Sequence, residues 1–119
     1  MATYAPVLLS GSTDGDPIKI AATATAGTLI HTAVSGTTSW DEVYLWFTNT
    51  DSSARTVTVE WGGVTDPDHL IMKAVSIPAN SGPLLYIQGI RLNNGGVIRA
   101  FASTANVILV VGNVNRIAA

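Results

Sequence analysis

The chain contains no cysteine, so no disulfide staples it and no thiolate-rich zinc site holds it together. Charge is scarce as well. Asp, Glu, Lys and Arg make up 12% of the residues, about half the share usual in soluble domains. The six basic residues are Lys19, Arg55, Lys73, Arg91, Arg99 and Arg116, scattered singly against eight acidic ones. Without a basic stripe to neutralise phosphates, no nucleic-acid partner is expected. No apolar run approaches the roughly 18 residues that cross a bilayer as a helix, so no membrane partner is expected either. Met1 to Pro6 lacks the basic stretch and apolar core of a secretory signal, so synthesis and assembly are expected in the cytoplasm.

What is present is apolar, at 47% of 119 residues. That is enough for one domain with a real core, and too short a chain for two. Val, Ile and Thr are abundant and turn residues recur at short intervals, which is the pattern of strands. Glu42–Asn49 alternates strongly, with Val43, Leu45 and Phe47 on one face and Tyr44 and Trp46 on the other. Arg55–Trp61 alternates too, with Val57, Val59 and Trp61 inward and Thr56, Thr58 and Glu60 outward. The short polar turn between them predicts a hairpin. Further strands are read at Val7–Ser10, Ile18–Ala21, Thr28–Val34, Leu70–Ile77, Leu84–Ile87, Val97–Ala102 and Val107–Ile117. Ala21–Ala26 is Ala-rich, but interleaved Thr and the following Gly27 argue against a helix. The expected fold is an all-β, antiparallel β-sandwich of jelly-roll or Greek-key type with eight or nine short strands. Residues 1–6 are read as an N-terminal arm, flexible or crossing to a neighbour, and 7–119 as the single sandwich domain.

The C-terminal third carries a second signal. Leu84–Ile87, Val97–Ala102 and Val107–Val111 are apolar at positions of both parities. A sheet wet on one side would leave such residues in water, so a second layer is expected over them. Val97, Arg99, Phe101, Val107, Leu109 and Val111 are therefore the expected oligomer interface. The loops carrying Asp14, Asp16, Asp66, Asp68 and Asn80 are the expected partner contacts.

Catalytic signals are weak, and no enzyme activity, cofactor or metal is expected. His31 and His69 are the only histidines. Asp66-Pro67-Asp68-His69 offers metal-ligand chemistry but lacks a further ligand element, and a Pro-containing turn accounts for it. Asp14-Gly15-Asp16 lacks the later ligands of a calcium loop. There is no Gly-x-Ser-x-Gly elbow, and neither Gly pair opens a helix that would receive a phosphate. Trp40, Tyr44, Trp46 and Trp61 raise a sugar-stacking platform as an alternative to plain packing.

Several segments carry a resemblance. These are Asp41–Trp46 with Asn49-Thr50-Asp51, Thr56–Gly63, Ile98–Val107, and Gly112–Ile117. They resemble the small structural proteins encoded in the head region of tailed bacteriophage genomes. The resemblance implies a virion component of the capsid decoration (cement) type, located on the capsid exterior and assembled in the host cytoplasm. Its implied partners are itself, as a homo-oligomer with a trimer favoured, and the major capsid protein. A tail, baseplate or head-fibre component, or a carbohydrate-binding module of the virion, is the alternative.

Overall fold

Because successive side chains of a strand point to opposite sides, a strand that is apolar at every second position must put that side against another layer. The computed structural model, which describes residues 2–118, resolves this into nine strands in two packed sheets, with no helix among the described residues. The strands are β1 (Thr3–Val7), β2 (Ile18–Lys19), β3 (Thr28–Thr32), β4 (Ser39–Asn49), β5 (Arg55–Trp61), β6 (Leu70–Ile77), β7 (Ser81–Leu92), β8 (Val97–Ala102) and β9 (Ile108–Ala118). Sheet A has the order β1-β9-β4-β7, with β2 also on β9; sheet B has the order β3-β8-β5-β6. All pairings are antiparallel. The pairs β2·β9, β3·β8, β4·β7 and β5·β6 are nested one inside the next. This is the winding of a jelly roll, in which one long antiparallel ribbon folds over itself.

The core lies between the sheets. Val43, Leu45 and Phe47 from β4, Val57 and Val59 from β5, Ile98 and Ala100 from β8, and Ile108, Val110 and Val114 from β9 are fully buried in it. Phe47 meets Tyr86 of β7 edge-on, with ring centroids 5.8 Å apart. Each such aliphatic or aromatic side chain contributes about 1.5–3 kcal/mol by leaving water.

Two expectations need correction. The strands β4 and β5 do not form a hairpin. They belong to different sheets and face each other across the core. The short turn serves instead as a corner, pinned by Asn49. The buried Asn49 amide donates from Nδ2 to the carbonyls of Ser53 and Ile77, both at 3.0 Å, while its Oδ1 accepts the Asp51 N–H. Alternation shows which side of a strand is apolar, and is blind to whether the next strand in sequence lies beside it or across the core. Thr3–Pro6 of the expected arm are not free either, and Met1 lies outside the described residues. Thr3–Val7 pairs with β9 from Ala118 back to Val114, adding an edge strand to sheet A.

The sheet edges are blunted. Three register shifts interrupt β7 against β4, two interrupt β6 against β5, and one interrupts β3 against β8. Pro6 removes a donor from β1, and exposed Lys73 on β6 pairs with Asp66 at 2.9 Å. Bulges, prolines and edge lysines all discourage another strand from adding on.

Candidate functional site

The outward positions of the two apolar C-terminal runs do not share a surface. Core-facing Ile98, Ala100 and Ala102 leave Val97, Arg99 and Phe101 on the outside of sheet B. Core-facing Ile108 and Val110 leave Leu109 and Val111 on the outside of sheet A. These are opposite sides of the sandwich. Val107 precedes β9 and packs against the core. The six expected interface residues therefore divide into two faces and one core-packing residue. They do not make one patch, because parity along a strand says nothing of which sheet the strand joins.

Sheet B covers part of its own outer face. The segment from Ala22 to Gly27 runs over β8 and β5, so that Ala102 N–H donates to Ala22 O and Arg99 Nη1 donates to Gly27 O at 3.2 Å. Beneath it lies Glu60, read from the sequence as an outward residue and here fully buried. Its carboxylate accepts the Gly27 N–H at 2.7 Å and the Thr25 hydroxyl. Glycine is required at 27, because a Cβ there would stand 2.5 Å from the Ala100 backbone. Beside this flap, Phe101 sits half-buried in a groove of about 100 Å³, lined also by Thr23, Thr56, Thr58, Ala74, Ala102 and Ser103. Leu29, which pairs across from Arg99, is 38% exposed on the same face.

Sheet A leaves its outer face open. Along β4, every second residue points out: Trp40, Glu42, Tyr44 and Trp46. Across the strands, Val111, Trp46 and Leu85 form one row, and Asn113, Tyr44 and Gln88 the next. Asn115, Glu42 and Arg91 form a third. The Tyr44 and Trp46 rings lie within 26° of parallel with centroids 6.4 Å apart. The Tyr44 hydroxyl donates to Glu42 Oε1 at 3.2 Å, and that neighbouring carboxylate raises the phenol above its ordinary value of 10.0. The other carboxylate oxygen of Glu42 stands 3.5 Å from Arg91 Nε. Arg91 in turn places its guanidinium 5.7 Å from the Trp40 ring centroid, a cation–π distance. Trp40, Arg91, Leu92 and Asn93 line a recess of about 300 Å³ at this end of the face.

Asp14, Asp16, Asp66, Asp68 and Asn80 are all exposed. They do not converge. Asp14 and Asp16 lie in the β1–β2 connection, Asp66 and Asp68 between β5 and β6, and Asn80 between β6 and β7. The Asn80 N–H bonds Asp51 O at the corner after β4, whereas the β5–β6 connection leaves from the opposite end of β5. Asp66 holds Lys73, and His69 Nδ1 accepts the Thr65 N–H at 3.3 Å. Among the described residues, no three or more His, Asp or Glu are grouped to hold a metal ion.

A buried ionic network between the sheets has no counterpart in the sequence reading. His31 Nε2 lies 2.7 Å from Asp41 Oδ2, and Arg116 reaches both oxygens of Asp41, at 2.7 Å from Nε and 3.0 Å from Nη2. Ser10 N–H donates to His31 Nδ1 at 3.0 Å. With Nδ1 accepting, the proton of the neutral ring sits on Nε2 and points at Asp41. Burial alone would raise the Asp41 carboxyl, but the hydrogen bonds from Arg116 and His31 outweigh it and hold the group below its ordinary 3.8. Both ring nitrogens of His31 are occupied and its side chain is closed to solvent. The network ties β3, β4 and β9 together. Its signal in the sequence, a histidine and an aspartate each inside an apolar strand, reads equally well as chance.

No protein-family model matches this chain, and no curated protein is similar to it.

Proposed function

We propose that this chain is a structural protein of a phage virion, of the capsid decoration type, that attaches through the outer face of sheet B. The resemblance of its strands to small phage head proteins supports this reading, and so do its low charge and blunted edges. The observation that carries it is Phe101, a half-buried aromatic in a threonine-lined groove with Val97 and Leu29 on the same face. A groove of this volume is on the scale of one side chain. An aromatic anchor beside it is the usual centre of a protein–protein contact. The partners are a second copy of the chain, with a trimer favoured, and the major capsid protein on the capsid exterior. Symmetric repetition lets each contact be weak, because neighbouring contacts raise one another's effective concentration.

The test is binding of the purified protein to capsids stripped of it, followed by sedimentation, alongside light scattering of the protein alone. Phe101→Asp should abolish capsid binding and lower the oligomeric state while leaving the fold intact. A wild-type protein that is monomeric at micromolar concentration and ignores capsids would end the proposal.

A further inference from the structure

The aromatic strip on the opposite face, outside sheet A, is not used by that attachment. We infer that it is a binding site for a neutral, linear oligosaccharide of pyranose units. The inference is independent of the capsid reading, since it stands on a different sheet face.

The first observation is how closely Tyr44 packs on the sheet. An outward Tyr on a strand can stand off the sheet. Tyr44 instead lies against the backbone of β7 at Gly89. A Cβ at Gly89 would stand 3.0 Å from the Tyr44 hydroxyl oxygen and 3.2 Å from Cζ. Gly89 also holds φ at +70°, in the left-handed region, at a register shift of β7. No other residue combines that backbone with room for the ring. The hydroxyl end of the Tyr44 ring therefore packs closely on the backbone of β7, and the residue stays partly exposed. Trp46 lies nearly parallel beside it. Two neighbouring outward rings offer π surface to the apolar C–H face of a sugar ring.

The second observation is the rim. Gln88 and Asn113 pair with Tyr44 from either side and both are exposed. Planar amides donate and accept at once, which suits vicinal hydroxyls projecting from the edge of a stacked ring. Aromatic floors with a few convergent polar groups are how small-molecule sites obtain both affinity and orientation.

The third is charge and direction. Within the strip the charges are Glu42 and Arg91, which face each other at 3.5 Å and cancel. That electrical neutrality complements a neutral ligand and offers no attraction to a polyanion. The strip runs along β4 from Trp46 through Tyr44 and Glu42 to the recess at Trp40. A linear chain fits this shape better than a broad protein epitope does. The apolar row Val111-Trp46-Leu85, with Leu85 37% exposed, would bury the hydrophobic side of the terminal unit.

The experiment titrates the full chain with short oligosaccharides of the α-gluco, β-gluco, manno and galacto series, following Trp fluorescence and calorimetric heat. At least one series should bind saturably. Tyr44→Ala and Trp46→Ala should each weaken binding about tenfold or more, and Gln88→Ala should weaken it several-fold, read as a ratio of dissociation constants. Tyr44→Leu retains the apolar cover over β7 and should weaken binding as much as Tyr44→Ala, which separates loss of the ring from loss of fold. Phe101→Asp should bind sugar like the wild type. The inference is overturned if no series binds, or if binding survives both ring deletions. It is also overturned if Trp46→Asp dissociates an oligomer of the wild-type chain, since the face would then be covered by protein.

Discussion

Ser10 N–H points at Nδ1 of His31 from 3.0 Å, and this single hydrogen bond decides the state of a buried network. With Nδ1 accepting, His31 presents its Nε2–H to Asp41, and Asp41 is left to accept from His31, from Val34 N–H and twice from Arg116. Four donors around one enclosed carboxylate make a fully satisfied cluster, which rigidifies the sandwich where β3, β4 and β9 meet.

Removing the centre of that cluster should be costly. Asp41→Ala strands the imidazole N–H of His31 in the interior and takes the partner from Arg116. Losing one member of a buried pair costs about 3–5 kcal/mol. The lower end is expected here, because the Arg116 side chain is 34% exposed and its charge reaches water. Urea unfolding followed by Trp fluorescence measures the loss.

Acid should unfold the protein through the same carboxylate. The folded-state pKa of Asp41 lies below its ordinary 3.8, so its stabilising contribution is complete above that value. It is lost as pH falls from there through the folded pKa, where the native state must take up a proton that the unfolded chain already holds. Asp51, lowered chiefly by its hydrogen bond from Arg55 against a smaller opposing effect of burial, acts in the same direction. Urea midpoints should be flat down to about pH 5 and drop below about pH 4. In Asp41→Asn the drop should be shallower, starting from a lower plateau. An equally steep drop in that variant would exclude Asp41 as the source.

The flap over sheet B depends on one missing side chain. Gly27→Ala places a methyl 2.5 Å from the Ala100 backbone. The segment must lift, taking its bonds to Glu60 with it. Overpacking of this kind costs about 1–3 kcal/mol, and loss of the hydrogen bonds from Thr25 and Gly27 to Glu60 adds to it. Hydrogen exchange should report faster opening at position 27, with β4 unaffected.

At the centre, Phe47→Ala should cost about 3–5 kcal/mol, since the ring is fully buried and Tyr86 loses its edge-on partner. A calorimetric melt is the direct measurement. A loss under about 1 kcal/mol would mean that the sandwich collapses readily around the vacancy.

Much of the fold was legible in the residues. The alternation in β4 placed Val43, Leu45 and Phe47 inside and Tyr44 and Trp46 outside, as found. Turn residues marked most strand ends, and the outward parity of Val97, Phe101, Leu109 and Val111 was correct. Partnership was not legible. Period-two patterning fixes which way a side chain points relative to its own strand, not which strand lies beside it. Hence a corner at Asn49 looked like a hairpin, and two opposite faces looked like one interface. Glu60 looked solvated because the segment that covers it is more than thirty residues away in the chain and has no apolar pattern. The aromatic strip was half visible: its rings stood out in the sequence, but nothing there marked Gly89, and only its place beneath Tyr44 gives it meaning.

The nested order of the strands has a kinetic consequence. The innermost pair, β5 with β6, joins residues close together in the chain, whereas the outermost joins Thr3 to Ala118, almost the whole length of the polypeptide. Closing the small loop first makes each following closure shorter than it would be alone. The ribbon should therefore zip from its middle outward, slowly for a molecule of this size, with the N-terminal strand arriving last.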